Sequence, residues 1–247
     1  NFIEAINLYQ DALETLETLS ISDQIIHLRL NRKIVEIATE AKWSVDAETY
    51  RQVSNISNKS LISLKNSLKV LEGESPHPET VHMLVAISTD AWRVQTPSDW
   101  KGAQRYAQIA VEMADELDDK ELLSLALGAL ATALDGHSML REHLKIAQRR
   151  VELSENGYQI SEHEKIDAQR GAGLALMYVG EYAKALPYLD EAETLATNVR
   201  APDQIANALG IKAQCLFRLD RWDEMLEVEK RWRDLDLRYT RERVGET

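Results

Sequence analysis

The 247-residue chain has a single cysteine, Cys215, ten glycines, five prolines and two phenylalanines, and no apolar run approaches 18 residues. One cysteine cannot close an internal disulfide, and no tetrad of Cys and His is present to hold a structural zinc, which excludes stapled and zinc-built scaffolds. The same scarcity points to a reducing, cytoplasmic setting. The missing apolar run leaves no helix to cross a membrane. The opening Asn1-Phe2-Ile3-Glu4 has neither an initiator Met nor the basic and apolar regions of a signal peptide, and reads as the start of a piece of a longer protein. Glycine and proline stand at roughly half their usual share. A many-stranded sandwich or barrel needs more turn chemistry than that. Basic charge is also short: 29 Lys and Arg face 41 Asp and Glu, a net charge of -12. Such an acidic surface repels phosphate backbones and anionic lipid, so neither nucleic acid nor membrane is an expected partner.

What the chain does contain is helix former: 27 Ala, 32 Leu and 25 Glu. Apolar residues recur at helical spacing, as in Ile6, Tyr9, Leu13, Leu16 and Leu19, then Ile26, Leu30, Ile34 and Ile37, then Leu61, Leu64, Leu68 and Leu71. Capping and turn residues punctuate these faces, among them Ser22-Asp23, Thr96-Pro97-Ser98-Asp99, Asp118-Asp119, Asn156-Gly157, Gly180-Glu181 and Asp220-Arg221. Eleven helices are predicted, near 1–19, 22–42, 45–72, 78–95, 99–117, 119–134, 138–156, 162–179, 182–198, 202–219 and 222–238.

Every second helix opens with an aromatic or His after a short polar turn: Phe2, Trp43, Trp100, His137, Tyr182 and Trp222, at spacings of 41, 57, 37, 45 and 40. Small residues often follow three positions on (Ala5, Ala103, Ala185) and again seven later (Ala12, Ala110, Ala147, Ala192). That pattern lets antiparallel helices approach closely while the aromatic fills the turn. Sequential pairs of this kind stack into an all-α solenoid.

These residues resemble the tetratricopeptide repeat family. The best unit runs from Ile166 to Leu195, with Gly173 at the close-packing glycine position, Gly180-Glu181-Tyr182 as the turn, and Ala185, Ala192 and Leu195 at the small and apolar positions of the second helix. Residues 1–19 look like the second half of a repeat whose first helix is missing. One consequence is expected there: Ile6, Tyr9, Leu13 and Leu16 exceed what the single following helix covers, and self-association through 1–19 follows. The 121–150 and Trp222 units match in part, and the repeats are longer than the family's usual 34 residues. The resemblance implies one right-handed superhelical repeat domain over 1–247.

Catalytic signatures are missing: no phosphate-binding Gly-rich loop, no G-x-S-x-G elbow and no H-E-x-x-H pair. No metal or cofactor is expected, and His77, Glu79 and His82 do not share a helix face. Glu162-His163-Glu164 fits a helix start, where carboxylates complement the dipole. Cys215 falls within the apolar pattern and reads as a small core residue. The Arg-rich end from Arg221 to Arg243 balances seven cations with seven anions, and is a neutral solvated helix. The acidic stretch from Glu112 to Glu121 reads as a solvated face and cap.

If the first helix of each pair lines a groove, the frame of the best unit turns Asn31, Trp92, Gln95, Arg170, Met177, Tyr178, Asn207, Gln214 and Arg218 toward it. Arg170 and Arg218 then suit a peptide carboxylate. Asn31, Asn207 and Gln214 suit an extended backbone, and Trp92 and Tyr178 apolar anchoring. Against that stand packing between repeats for the aromatics and pairing with Asp167 for the arginines. The resulting expectation is a non-catalytic protein or peptide interaction module of a larger cytoplasmic regulatory or signalling protein. The alternative is a small-molecule sensor, holding an inducer in the groove and controlling an attached ATPase, cyclase or transcription-factor module.

Overall fold

The computed structural model describes residues 2–19, 23–42, 45–70, 75–156 and 158–244. The turn aromatic Trp43, the cap residue Ser22, Leu71 and Gly157 lie outside these residues. Among the described residues there are eleven helices and no strand: α1 (Phe2–Thr18), α2 (Gln24–Ala41), α3 (Ala47–Val70), α4 (Pro78–Arg93), α5 (Trp100–Glu116), α6 (Lys120–Gly136), α7 (Leu140–Glu155), α8 (Glu162–Tyr178), α9 (Tyr182–Asn198), α10 (Pro202–Arg218) and α11 (Trp222–Val244). These bounds follow the predicted ones closely, because the caps were legible. Asp23, Asp99, Asp119 and Ser161 each accept a backbone N–H of the first turn through the side chain, at 3.0, 2.9, 3.0 and 3.3 Å.

A regular beat underlies the helices. α5, α6 and α7 begin at 100, 120 and 140, and α8 to α11 at 162, 182, 202 and 222. The turns that keep this beat each hold one residue in the left-handed region: Asp118 (φ 52°), Ser138 (57°), Gly180 (83°), Arg200 (55°) and Asp220 (55°). After α8, α9 and α10 the closure is the same, with an N–H reaching five residues back: Glu181 to the Leu176 carbonyl (2.9 Å), Ala201 to Ala196 (2.9 Å) and Arg221 to Leu216 (3.0 Å). This is the Schellman arrangement, which satisfies carbonyls that a helix end otherwise orphans. Glycine fills only one of these positions, so a chain of few glycines still turns sharply.

The chain gathers into two compact units, 1–137 and 138–247. In the first, α1 packs on both α2 and α3: Ile6, Ile34, Ala38, Ala41 and Val53 form a buried cluster, with Phe2, Tyr9, Leu13 and Ile56 leaning on it. The apolar face of α1 is therefore covered by two helices rather than one, and what it leaves outside is Leu8 (69% exposed) and Leu19 (63%). Further along, Trp100 opens α5 and lies against Gly136, where an added Cβ would sit 2.0 Å from the indole. Glycine there makes room for the turn aromatic. Arg32 on α2 and Glu79 on α4 are both buried and paired at 2.5 Å, with Glu36 2.6 Å from the same guanidinium. Burial favours the neutral form of Glu79, but Arg32 and Arg29 outweigh it and hold this carboxyl below its ordinary range. His77, Glu79 and His82 thus serve separate ends: His77 Nδ1 accepts the Glu79 N–H and caps α4 (3.1 Å).

In the second unit, α8 and α9 meet at Gly173. A Cβ there would lie 2.6 Å from Leu189 and 3.5 Å from the Ala185 carbonyl, so the small residue sets the helix separation. Leu186, Leu189, Leu209, Cys215, Leu216 and Val228 continue the core through α9, α10 and α11. Cys215 is fully buried, and burial pushes its thiol up to about 11, consistent with an inert packing role. Between α7 and α8 runs a polar seam. Arg150, 4% exposed, pairs with Glu164 at 2.5 Å and Asp167 at 2.9 Å, and His143, 4% exposed, meets Tyr178 edge-on at 6.1 Å. The seam was not visible in the sequence, where Glu164 reads as a dipole-complementing residue of a helix start.

Candidate functional site

The predicted groove residues fall into three sets. In the first unit Asn31 is 8% exposed, and its amide donates to the His27 carbonyl at 2.9 Å. It lies in a groove of about 270 Å³ between α1 and α3, floored by α2, with Glu14, Glu17 and Lys59 on the walls. Trp92 and Gln95 sit elsewhere in this unit, at the turn into α5. Trp92 is half-buried and stacks on Trp100, with ring centroids 5.7 Å apart and planes 12° from parallel. Gln95 donates to the Asp90 carboxylate at 3.2 Å. Both are tied into local packing.

On α8 of the second unit, Arg170 is held by an ion pair to Asp167. Burial would raise the Asp167 pKa, but the Arg170 and Arg150 guanidiniums together hold this carboxyl well below the usual carboxylate range. Met177 packs on the main core cluster. Tyr178 is 39% exposed and engages His143 with its ring.

α10 differs. Asn207, Gln214 and Arg218 are all exposed. Their spacing of seven and four residues places them in one row along the helix. Among the described residues neither Asn207 nor Arg218 has a hydrogen-bond or ion-pair partner, and Gln214 makes only a 3.3 Å bond to the Gly210 carbonyl. The row is about 16 Å long at 1.5 Å per residue, the length of about five residues of extended chain. Beside it run Gly210 and, two turns on, Phe217. A Cβ on Gly210 would meet nothing within 4 Å, so the helix backbone is open there. Phe217 is 46% exposed and packs edge-on against Trp222 at 4.9 Å. Sequence reasoning found the polar row through the repeat frame. It missed Gly210 and Phe217, which only gain meaning once the neighbouring face is seen to be uncovered. The row can donate and accept hydrogen bonds along an extended main chain, and Arg218 can meet a carboxylate at one end.

Among the described residues no three His, Cys, Asp or Glu side chains gather as a metal site would require, and no helix is long and apolar enough to cross a membrane.

No family model matches the sequence, and neither does any curated protein. Solved structures do. BtubC (BKLC) from P. vanneervenii is similar over 97% of this chain and 92% of its own, with a TM-score of 0.67 and 11% identity. A Rap protein complexed with competence and sporulation factor matches over 95% and 74%, TM-score 0.61, 11% identity. PlcR of Bacillus thuringiensis, in complex with the peptide PapR7 and DNA, matches over 96% and 88%, TM-score 0.56, 14% identity. The TPR-like repeats of a Podosopora anserina kinesin light chain share the same architecture, at TM-score 0.60. With its antiparallel helix pairs, recurring Schellman turns and small-residue contacts, the chain has the all-α fold of a TPR-like helical-repeat solenoid.

Proposed function

We propose that the chain is a peptide-recognition module of a cytoplasmic regulatory protein, and that it binds an extended segment along α10. The observation that carries this reading is the row of Asn207, Gln214 and Arg218 beside the open backbone at Gly210. Polar side chains spaced along one face, two of them with no partner among the described residues and the third with one weak bond to its own helix, suit main-chain hydrogen bonds, and the exposed aromatic beside them adds an apolar contact. Two proteins of the same fold were solved with a factor bound, PlcR with the peptide PapR7 and Rap with competence and sporulation factor, and the first supports a peptide as ligand.

The test is a fluorescence screen of the whole chain against short peptides with a free C-terminal carboxylate, repeated with Asn207→Ala and Arg218→Ala. A hydrogen bond to a charged group contributes about 1.5–3 kcal/mol, so Arg218→Ala should weaken capture roughly 10- to 100-fold. Asn207→Ala should cost less, and neither substitution should change the melting temperature. Peptides bound equally well by both variants would remove α10 from the site.

A further inference from the structure

A second groove, on a different face of α8, has no part in that reading. It lies between α7 and α9 with the N-terminal half of α8 as its floor, and encloses about 560 Å³. Its position within the unit matches that of the α1–α3 groove in the first unit: two parallel helices flank the start of the helix between them. Glu162, Lys165 and Gln169 face it from α8. At 100° per residue, Arg170 and Met177 point about 100° away.

Three features of this groove point to a cation. Gln169 is 92% out of solvent, lines the floor and has no hydrogen-bond partner among the described residues, so the part of its amide that stays open faces the groove. Glu155 and Glu191 stand on the two walls, exposed, and neither has an ion pair among the described residues. Lys165, the cation of the groove, is already engaged by Glu162 at 2.8 Å. Glu155 also closes α7, where the helix dipole is negative and favours positive charge. The remaining wall is apolar: Tyr188 and Leu195, beside Pro187, which carries no N–H. An anion would face Glu155, Glu162 and Glu191 against a single lysine that is already paired.

We propose that this groove takes a lysine or arginine side chain from a bound protein segment, with the charged head reaching Glu155, Glu191 and the Gln169 amide oxygen. The aliphatic stem lies along Leu195 and the Tyr188 ring, which adds a cation–π contact. Neither free carboxylate is spent on the fold, so both are available to a partner.

The experiment is a titration of the isotope-labelled full chain with acetyl-Leu-Arg-Leu-amide, followed by amide chemical shifts. The control peptide carries citrulline, which keeps the shape and removes the charge. The expected result is saturable shifts at residues 155, 169, 188 and 191, with at least tenfold weaker binding for the citrulline peptide and for the double variant Glu155→Gln, Glu191→Gln. Both substitutions are isosteric and sit on exposed side chains, and the variant's own spectrum reports its fold. Equal binding of the citrulline peptide, undiminished binding by the folded double variant, shifts confined to other helices, or no saturable shift overturns the proposal.

Discussion

Replacing Arg150 by methionine keeps most of the side chain's volume and deletes its charge. In the wild type the guanidinium is buried and bonded to Glu164 at 2.5 Å and Asp167 at 2.9 Å. Asp167 keeps Arg170 after the substitution. Glu164, only 9% exposed, loses its charge partner. Breaking a buried pair from one side typically costs about 3–5 kcal/mol, because the remaining charge stays desolvated and uncompensated. With a urea slope of about 2 kcal/mol per molar for a unit of this size, the midpoint should fall by about 1.5–2.5 M. Circular dichroism reads the midpoint, and amide exchange in α7 and α8 shows whether this unit is the one that opens. Acid should partly rescue the variant, since protonating Glu164 removes the buried charge that Arg150 no longer balances. The gap between wild type and Arg150→Met should therefore narrow as the pH is lowered. A double variant, Arg150→Met with Glu164→Leu, should recover much of the loss, because both charges of the buried pair are then gone. A single-variant loss under about 1 kcal/mol, or a loss that does not change with pH, would refute the view that this pair is a buried electrostatic lock.

Burial holds the His143 imidazole down at about 4, with Arg150 adding to the effect. A depressed folded pKa means the contribution is whole above the unfolded value of about 6.5 and is lost as pH falls through 4, a span of about 3 kcal/mol. His143→Phe should flatten the stability profile between pH 6.5 and 4, which urea midpoints at several pH values will show. Gly173→Ala should destabilise by about 1–3 kcal/mol through its contact with Leu189, whereas Gly210→Ala should stabilise by up to about 1 kcal/mol. Melting temperatures separate the two, and the second variant should also bind peptide less well on α10. Arg200→Gly should raise the melting temperature, since a left-handed conformation costs a non-glycine residue about 1–2 kcal/mol, partly offset by the entropy of glycine.

The helices were legible because apolar spacing and caps such as Asp99 and Asp119 are local properties of the chain. Gly173 was legible for a related reason: in the repeat frame only one residue size fits that contact. Arg150 and Arg32 were not, since nothing local tells a buried arginine from a solvated one. Their partners lie 14 and 47 residues away, and only packing brings them near. Trp92 could be placed on a face but not assigned to it, because its stacking on Trp100 depends on how α4 turns into α5. On α10 the row was readable from spacing. That Asn207 and Arg218 have no partner among the described residues, and that Gln169, Glu155 and Glu191 have none, became visible only when the neighbouring helices were in place. Arg200 carries no turn signature of its own, as arginine is common in helices, whereas Asp220 stood in a legible turn.

The beat of the second unit has a consequence for how such a chain changes length. α9, α10 and their turns occupy residues 182–221, and Trp222 stands to Asp220 as Tyr182 stands to Gly180. Removing those 40 residues would join Glu181 to Trp222 and feed α11 from an unaltered turn, with no loop to redesign. Duplicating the same segment would insert another pair through two copies of existing junctions. A deletion of 38 residues would instead leave the following helix two residues out of step with its turn, rotating its side chains by about 200° and burying polar faces while exposing apolar ones. Growth and loss by whole pairs are thus the steps this backbone tolerates. Each duplicated pair would carry a further copy of the α10 row, so reach along a longer peptide could increase without a new contact being invented.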